Sequence, residues 1–305
     1  NSAGSSPLSN TISILNNVIT NCSYPSATLP PSAAFLGILN NANPDVVNIS
    51  GNQFLNNTCA GNILHHYCIY NLGNAASKVN INNNIINGLN FTPSPGGMII
   101  GINNGLGAST ATVDISNNSF QTIAYTSTST ANFHLIYNSA YPNALNISNN
   151  SLNTLSLSLT GVMSFITNYG TVPNINITGN SINGVISNDK PVDMFGFFSF
   201  GTSTTSSINI SSNNFSNFKA LNPNIGMCGI QLQDQNGSIQ TITSNTISNF
   251  TGVSFRNIGI NLGYGKPGSL IKNNLIYDFS TSDNMIGIYL GGNSSIGIDV
   301  IENTI

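Results

Sequence analysis

The sequence predicts an all-β fold, a solenoid of parallel strands wound into about ten coils of roughly thirty residues. Three observations carry this expectation. A short pattern recurs ten times: apolar, polar, apolar, two small or polar residues, Asn, any residue, apolar. The positions three residues before and two residues after its Asn are apolar in every copy. A further apolar strand, usually containing Gly, falls between copies, and no window shows a helical 3.6-residue period of useful length.

Clear copies of the pattern are VNISGNQF (47–54), VNINNNII (79–86), VDISNNSF (113–120), LNISNNSL (145–152), INITGNSI (175–182) and INISSNNF (208–215). With four weaker copies, the recurring residues are Asn17, Asn52, Asn84, Asn118, Asn150, Asn180, Asn213, Asn245, Asn274 and Asn303. The steps between them are 35, 32, 34, 32, 30, 33, 32, 29 and 29 residues. The register is chosen on Asn, so the neighbouring columns test it independently. Three residues before the Asn stand nine Ile and Val300; two residues after it stand only Ile, Phe or Leu.

The run before the Asn alternates, as in Val47-Asn48-Ile49, which describes a short strand with one buried face. Apolar parity then breaks across the Asn, so the chain must turn a corner there. Asn suits a corner because it tolerates left-handed backbone angles. Stacked coil on coil, the ten side chains are expected to form a ladder of amide hydrogen bonds, which buried amides need. The strands between copies include AFLGIL (34–39), GMIIGI (97–102), MFGFFSF (194–200) and GMCGIQL (226–232). Three short strands per coil describe a parallel β-helix; a leucine-rich repeat is shorter, and a propeller blade is longer and antiparallel.

This repeat resembles those of the right-handed parallel β-helices of the pectate-lyase-like superfamily, from about Ile12 to Ile305. The resemblance implies the fold more than an activity, since that superfamily includes lyases, hydrolases, phage tailspikes, adhesins and stalks. The Asn- and Ser-rich, charge-poor composition is also similar to segments of large secreted bacterial surface proteins, some exported by type IX secretion. A secreted or cell-surface location is the corresponding expectation.

Length alone would allow two domains, but the continuous repeat argues for one β-helix domain over 1–305. The chain opens on Asn1 and stops at Ile305 inside a copy, which is read as a segment of a longer polypeptide. Only 5% of residues are charged, and 54 Asn keep the surface polar instead. Six scattered Lys and Arg argue against nucleic acid, and no apolar run is long enough to span a membrane. Cys22 and Cys59 fall at similar phases of adjacent coils, where a disulfide is one option; buried thiols in strand columns are the other, for Cys22 and Cys228 alike. Cys68 and Cys228 lie too many coils apart to bridge.

Nine acids leave little material for catalysis. Asp114 and Asp299 sit in an outward column that Asn fills elsewhere, and Glu302 precedes a corner Asn, so all three read as structural variants. Asp189 and Asp193, flanking Lys190-Pro191, are the nearest approach to an acidic pair. The plain reading is a loop with a local ion pair; the sharper one is a catalytic or calcium-binding pair, with Lys190 beside it in the catalytic case. Adjacent His65 and His66 point to opposite faces of a strand, which speaks against joint metal ligation. No cofactor is implied. Tyr125, Tyr137, Tyr141 and Tyr169 are candidate platforms for sugar rings, with ordinary packing as the alternative. The expected role is a structural or adhesive module, with surface polysaccharide or secretion machinery as partner. The alternative is a polysaccharide lyase or glycoside hydrolase on the same fold.

Overall fold

In the computed structural model the described residues are 10–24, 34–187, 193–200, 207–222, 225–233, 238–252, 254, 256–281, 283–291 and 297–305. They contain strands, turns and bends but no helix. Every strand pairing is parallel, and each strand pairs with its equivalent one coil away. The ten predicted copies form one ten-stranded parallel sheet running from Thr11–Leu15 to Asp299–Ile301. A second column of strands begins at the residue after each ladder Asn from Asn17 to Asn274, and a third holds the Gly-containing strands, such as Asp193–Ser199 and Gly226–Leu232. The chain is therefore the expected parallel β-solenoid.

The predicted Asn ladder is unbroken. Each amide Nδ2 donates to Oδ1 of the next Asn, from Asn17 to Asn303, at 2.9–3.0 Å. The second Nδ2 proton goes back one coil to a backbone carbonyl, as from Asn118 to Ile81 at 2.9 Å. Each Oδ1 also accepts the backbone N–H of the preceding Asn, as Asn118 Oδ1 does from Asn84. Two donors and two acceptors are thus all used, which is what a buried carboxamide requires. Asp lacks the donors.

The corner itself is built one residue earlier than expected. The ladder Asn does not take up the left-handed backbone; the residue before it does. Asn16, Gly51, Asn83, Asn117, Asn149, Gly179, Ser212, Ser244, Asn273 and Glu302 have φ between 54° and 67°. The ladder residue is held by its side chain, and its neighbour makes the turn. A second left-handed column closes the second strand, at Asn21, Asn56, Gly88, Thr122, Thr154, Gly184, Asn217, Asn249 and Asp278.

A second amide ladder runs along the ends of the third strands. Asn40 donates to Asn71, Asn71 to Asn104, Asn104 to Asn138 and Asn138 to Asn168, at 2.7–2.9 Å. Asn168 then donates to the hydroxyl of Ser199 at 3.3 Å. Beyond that, the same column carries Leu232, Leu262 and Leu290.

Between the ladders the core is a stack of repeated apolar columns. Phe218, Phe250 and Phe279 stack face to face in successive coils, with centroids 4.7 and 4.9 Å apart. Glycine makes room for the larger rings. A Cβ on Gly37, Gly101 or Gly196 would lie 2.4, 2.6 or 2.7 Å from the ring of Phe54, Phe120 or Phe215. Where the third strand carries Cys68, Leu135 or Phe165 instead, the coil supplies Ile86, Leu152 or Ile182.

Outside, the column four residues before each ladder Asn forms a looser polar run. Asn80 donates to Asn48, Asn146 to Asp114 and Asn176 to Asn146. Asp114 accepts from Asn146 and pairs with Lys78 at 3.1 Å, while Glu302 pairs with Lys272 at 3.1 Å. Both acids therefore have structural partners.

Replacing Asn118 by Ala should cost about 3 kcal/mol or more in urea unfolding, because it strands buried groups of Asn84, Asn150 and Ile81. The same change at the partly exposed terminal Asn303 should cost less. Gly101→Ala should destabilise by roughly 1–3 kcal/mol, since the added methyl meets the Leu135 carbonyl and the Phe120 ring, both at 2.6 Å.

Candidate functional site: the outer face of the third sheet

The third strands of the central coils, from Asn132–Asn138 to Arg256–Leu262, differ from the rest in burying both faces. One face joins the core. The opposite face carries side chains that do not belong to it, and Phe195, Phe198, Cys228 and Ile258 form a separate apolar cluster there. Strand alternation puts the outward residues two apart or, across the local irregularity, three apart. The core columns repeat, whereas this face changes character from coil to coil.

Along it runs a strip of aromatic rings. His134 and Tyr137 share a strand, with centroids 4.9 Å apart. Tyr137 meets Tyr169 of the next coil at 5.7 Å, and Tyr169 meets Phe198 and Phe200 of the one after at 5.6 and 6.2 Å. Phe195 packs on Phe198 at 5.1 Å. Towards the N-terminal end, Tyr67 and Tyr70 lie 4.7 Å apart and act electrostatically on Tyr137 or are acted on by it. Tyr141 joins the same group through its effect on Tyr137.

The groups beneath the rings are neutral. His134 Nδ1 lies 2.9 Å from the Thr167 hydroxyl, which donates to Ser164 at 2.7 Å. Burial lowers the His134 pKa to about 4, so the ring is uncharged at neutral pH. Burial also raises Tyr67 to about 12, with Tyr70 and Tyr137 adding to the shift. Tyr70, Tyr137 and Tyr169 are raised chiefly by burial too. The strip therefore offers ring faces and protonated phenols, which suit an uncharged ligand with both apolar and hydroxyl surface.

Three of the four predicted tyrosines belong here. Tyr141 is 58% and Tyr169 42% exposed, and Tyr137 is partly buried between its neighbours. Tyr125 does not belong: it is 1% exposed and lies in the core, edge-on to Phe133 at 6.1 Å. Its strand position points inward, so it is a packing residue.

Of the acidic candidates, Asp189 and Lys190 lie outside the described residues. Asp193 opens the third strand of its coil and pairs in register with Gly226, which pairs with Arg256. Two coils, about 10 Å, separate the two charged residues along the rod, with a glycine between them. Burial raises the Asp193 pKa to about 6, against the opposing pull of Arg256 and a hydrogen bond from the Gly226 N–H. Such a carboxyl can exchange a proton near neutrality. Glycoside hydrolysis needs two carboxyls roughly 5–9.5 Å apart. Among the described residues, the charged side chain that acts on Asp193 is Arg256.

The Cys22–Cys59 disulfide does not form. Cys22 is a free, exposed thiol, which also removes it from the buried column expected for it. The register sets Cys22 N–H on Asn57 and pairs Cys59 with Tyr24, so the two cysteines are two residues out of step. That offset alone is about 6.6 Å along the strand, with about 4.8 Å more between strands, beyond the reach of a bridge. Cys68 and Cys228 are buried free thiols, and burial pushes both pKa values up. His66 stacks on Phe35 at 4.8 Å and His65 on Tyr67 at 5.7 Å. Among the described residues no group of three or more His, Cys, Asp or Glu gathers to hold a metal ion. Among them also, no helix is long and apolar enough to cross a membrane.

Comparisons with protein families, with curated proteins and with solved structures return no match to this chain.

Asp193 makes stability pH-dependent in a definite direction. Its folded pKa, about 6, stands above the ordinary 3.8, so the folded state holds the proton more tightly. The stabilisation is complete below about pH 3.8 and is lost as pH rises through about 6. Urea unfolding from pH 4 to 8 should show wild type falling relative to Asp193→Asn across this interval. Parallel curves would contradict the assignment.

Proposed function

We propose that this chain is a structural or adhesive module of a secreted or cell-surface protein, which holds carbohydrate on the aromatic outer face of its third sheet. The observation that carries the reading is the ring strip Tyr137–Tyr169–Phe200 with exposed Tyr141 beside it. Sugar rings stack on such platforms, and protonated phenols exchange hydrogen bonds with sugar hydroxyls. A ladder-locked rod suits display, because it fixes spacing along its length. A chain with only 5% charged residues gives little long-range steering, which favours a neutral polymer met at short range. Kinship with the right-handed helices of the pectate-lyase-like superfamily, and export by a type IX route, extend the same proposal. The repeat pattern supports the first and the Asn- and Ser-rich composition the second.

The second reading, a polysaccharide lyase or glycoside hydrolase, is favoured by one observation, the near-neutral pKa of Asp193 facing Arg256 across two coils.

A polysaccharide pull-down decides the first reading. The Tyr141→Ala/Tyr169→Ala double variant should lose at least tenfold in retention on a polysaccharide that retains wild type. Equal retention would overturn the aromatic face as the binding surface. A depolymerisation assay on the same panel tests the second: release of oligosaccharide by wild type, abolished in Asp193→Asn, is what an enzyme requires.

A further inference from the structure

A different part of the rod carries a cleft of about 600 Å³ on the outer side of the second strands, spanning the Asn213, Asn245 and Asn274 coils. We propose that this cleft binds a neutral, polyhydroxylated ligand of the oligosaccharide class. The proposal shares the carbohydrate reading of the aromatic face but rests on none of the same residues.

Its walls follow from the repeat. Asn214 and Thr246 pair in register at the start of the second strand, and Ser216, Ser248 and Tyr277 line up two residues later. All five point away from the core, because Phe215, Ile247 and Ile276 between them point into it. The next residues, Asn217, Asn249 and Asp278, occupy the left-handed corner, with φ of 59°, 55° and 56°. The corner turns the chain outward and closes one side of the cleft.

The chemistry of the corner column is specific. Asn217 Nδ2 donates to Asn183 Oδ1 at 2.5 Å, and Asn249 Nδ2 donates to Asn217 Oδ1. In the next coil the run meets Asp278, whose side chain has no amide N–H to pass to Asn249. The amide run therefore ends inside the cleft, leaving Asn249 Oδ1 and both Asp278 oxygens as acceptors for ligand hydroxyls. At the opposite wall the side-chain oxygen of Asn214 is shielded from solvent and has no hydrogen-bond partner among the described residues. Hydroxyls of Thr246, Ser216 and Ser248 supply donors between the two. Tyr277, 42% exposed, presents a ring at the edge.

A row of acceptors, a row of hydroxyls and one ring match a sugar, which has hydroxyl edges and a weakly apolar face. Among the described residues, Asp278 is the sole charged one lining the cleft, and no Lys or Arg lines it. An acidic polysaccharide would meet a like charge with nothing to balance it, so the ligand class is neutral.

Isothermal titration calorimetry on the full chain tests this, with hexasaccharides of glucose, mannose, galactose and xylose, and with hexagalacturonate as acidic counterpart. Circular dichroism and a thermal melt first establish that each variant is folded. At least one neutral hexasaccharide should bind wild type, and hexagalacturonate should bind at least tenfold more weakly. Tyr277→Ala and Asp278→Asn should each weaken the neutral ligand about tenfold; Asn keeps the left-handed corner but restores the amide run. Asn48→Ala, in the outward column of the first sheet and outside both faces, should leave this binding within twofold of wild type. Unchanged affinity in both cleft variants, equal binding of the acidic ligand, or no binding at all overturns the cleft. Loss in Tyr169→Ala with the cleft variants unchanged would overturn it while leaving the aromatic face standing.

Discussion

Everything in this rod depends on one interaction, the carboxamide of each ladder Asn passing a hydrogen bond to the same residue one coil on. A coil of about thirty residues has few local contacts of its own. What fixes its register is the match to its neighbours, and the ladder permits only one register. The Oδ1 of each Asn takes the backbone N–H and the amide proton of the Asn before it, while its own Nδ2 reaches back to a carbonyl of that coil. A coil slipped by one residue would leave all of these unmade in a dry interior. The apolar columns then fill the space that the ladder has set, with glycine opposite the Phe rings.

This division separates fold from function. The ladders and the inner columns repeat because every coil faces the same packing problem. The outer face of the third sheet and the corner column of the second do not repeat, since solvent makes no such demand. Chemistry therefore concentrates where the repeat loses its regularity: the rings from Tyr137 to Phe200, Asp193 facing Arg256, and the break in an amide run at Asp278. The scarcity of charge leaves shape, rings and neutral hydrogen-bonding groups as what these surfaces present.

The fold was legible in the sequence because its constraint acts at fixed spacing; the ten ladder Asn and the Ile three residues before them can be read directly. The left-handed corner was placed one residue late, because Asn often precedes the ladder Asn and the two roles share a residue type. The second ladder went unread although Asn40, Asn71, Asn104, Asn138 and Asn168 end successive third strands, because the column changes to Leu in the later coils. The facing of Tyr125 does not follow from the period, because the strand register passes over the left-handed corner at Thr122. The Cys22–Cys59 offset does, since Cys22 stands five and Cys59 seven residues after its ladder Asn and the pairing keeps the 35-residue step. Tyr137, Tyr141 and Tyr169 of the candidate site were legible as candidate platforms, but their assembly with His134, Phe198 and Phe200 into one strip was not. Tyr137, Tyr169 and Phe198 are 32 and 29 residues apart, and no pattern links them until the coils stack.

The most direct test of the ladder as the fixing interaction is hydrogen exchange of Asn side-chain amides, followed by nuclear magnetic resonance on the intact chain. The ladder amides of Asn52 to Asn274 should exchange as slowly as the core backbone amides, through global unfolding, while those of the outward column, such as Asn48 and Asn176, exchange orders of magnitude faster. Ladder amides that exchange as fast as the outward ones would contradict this, and would show that apolar packing alone holds the coils in register.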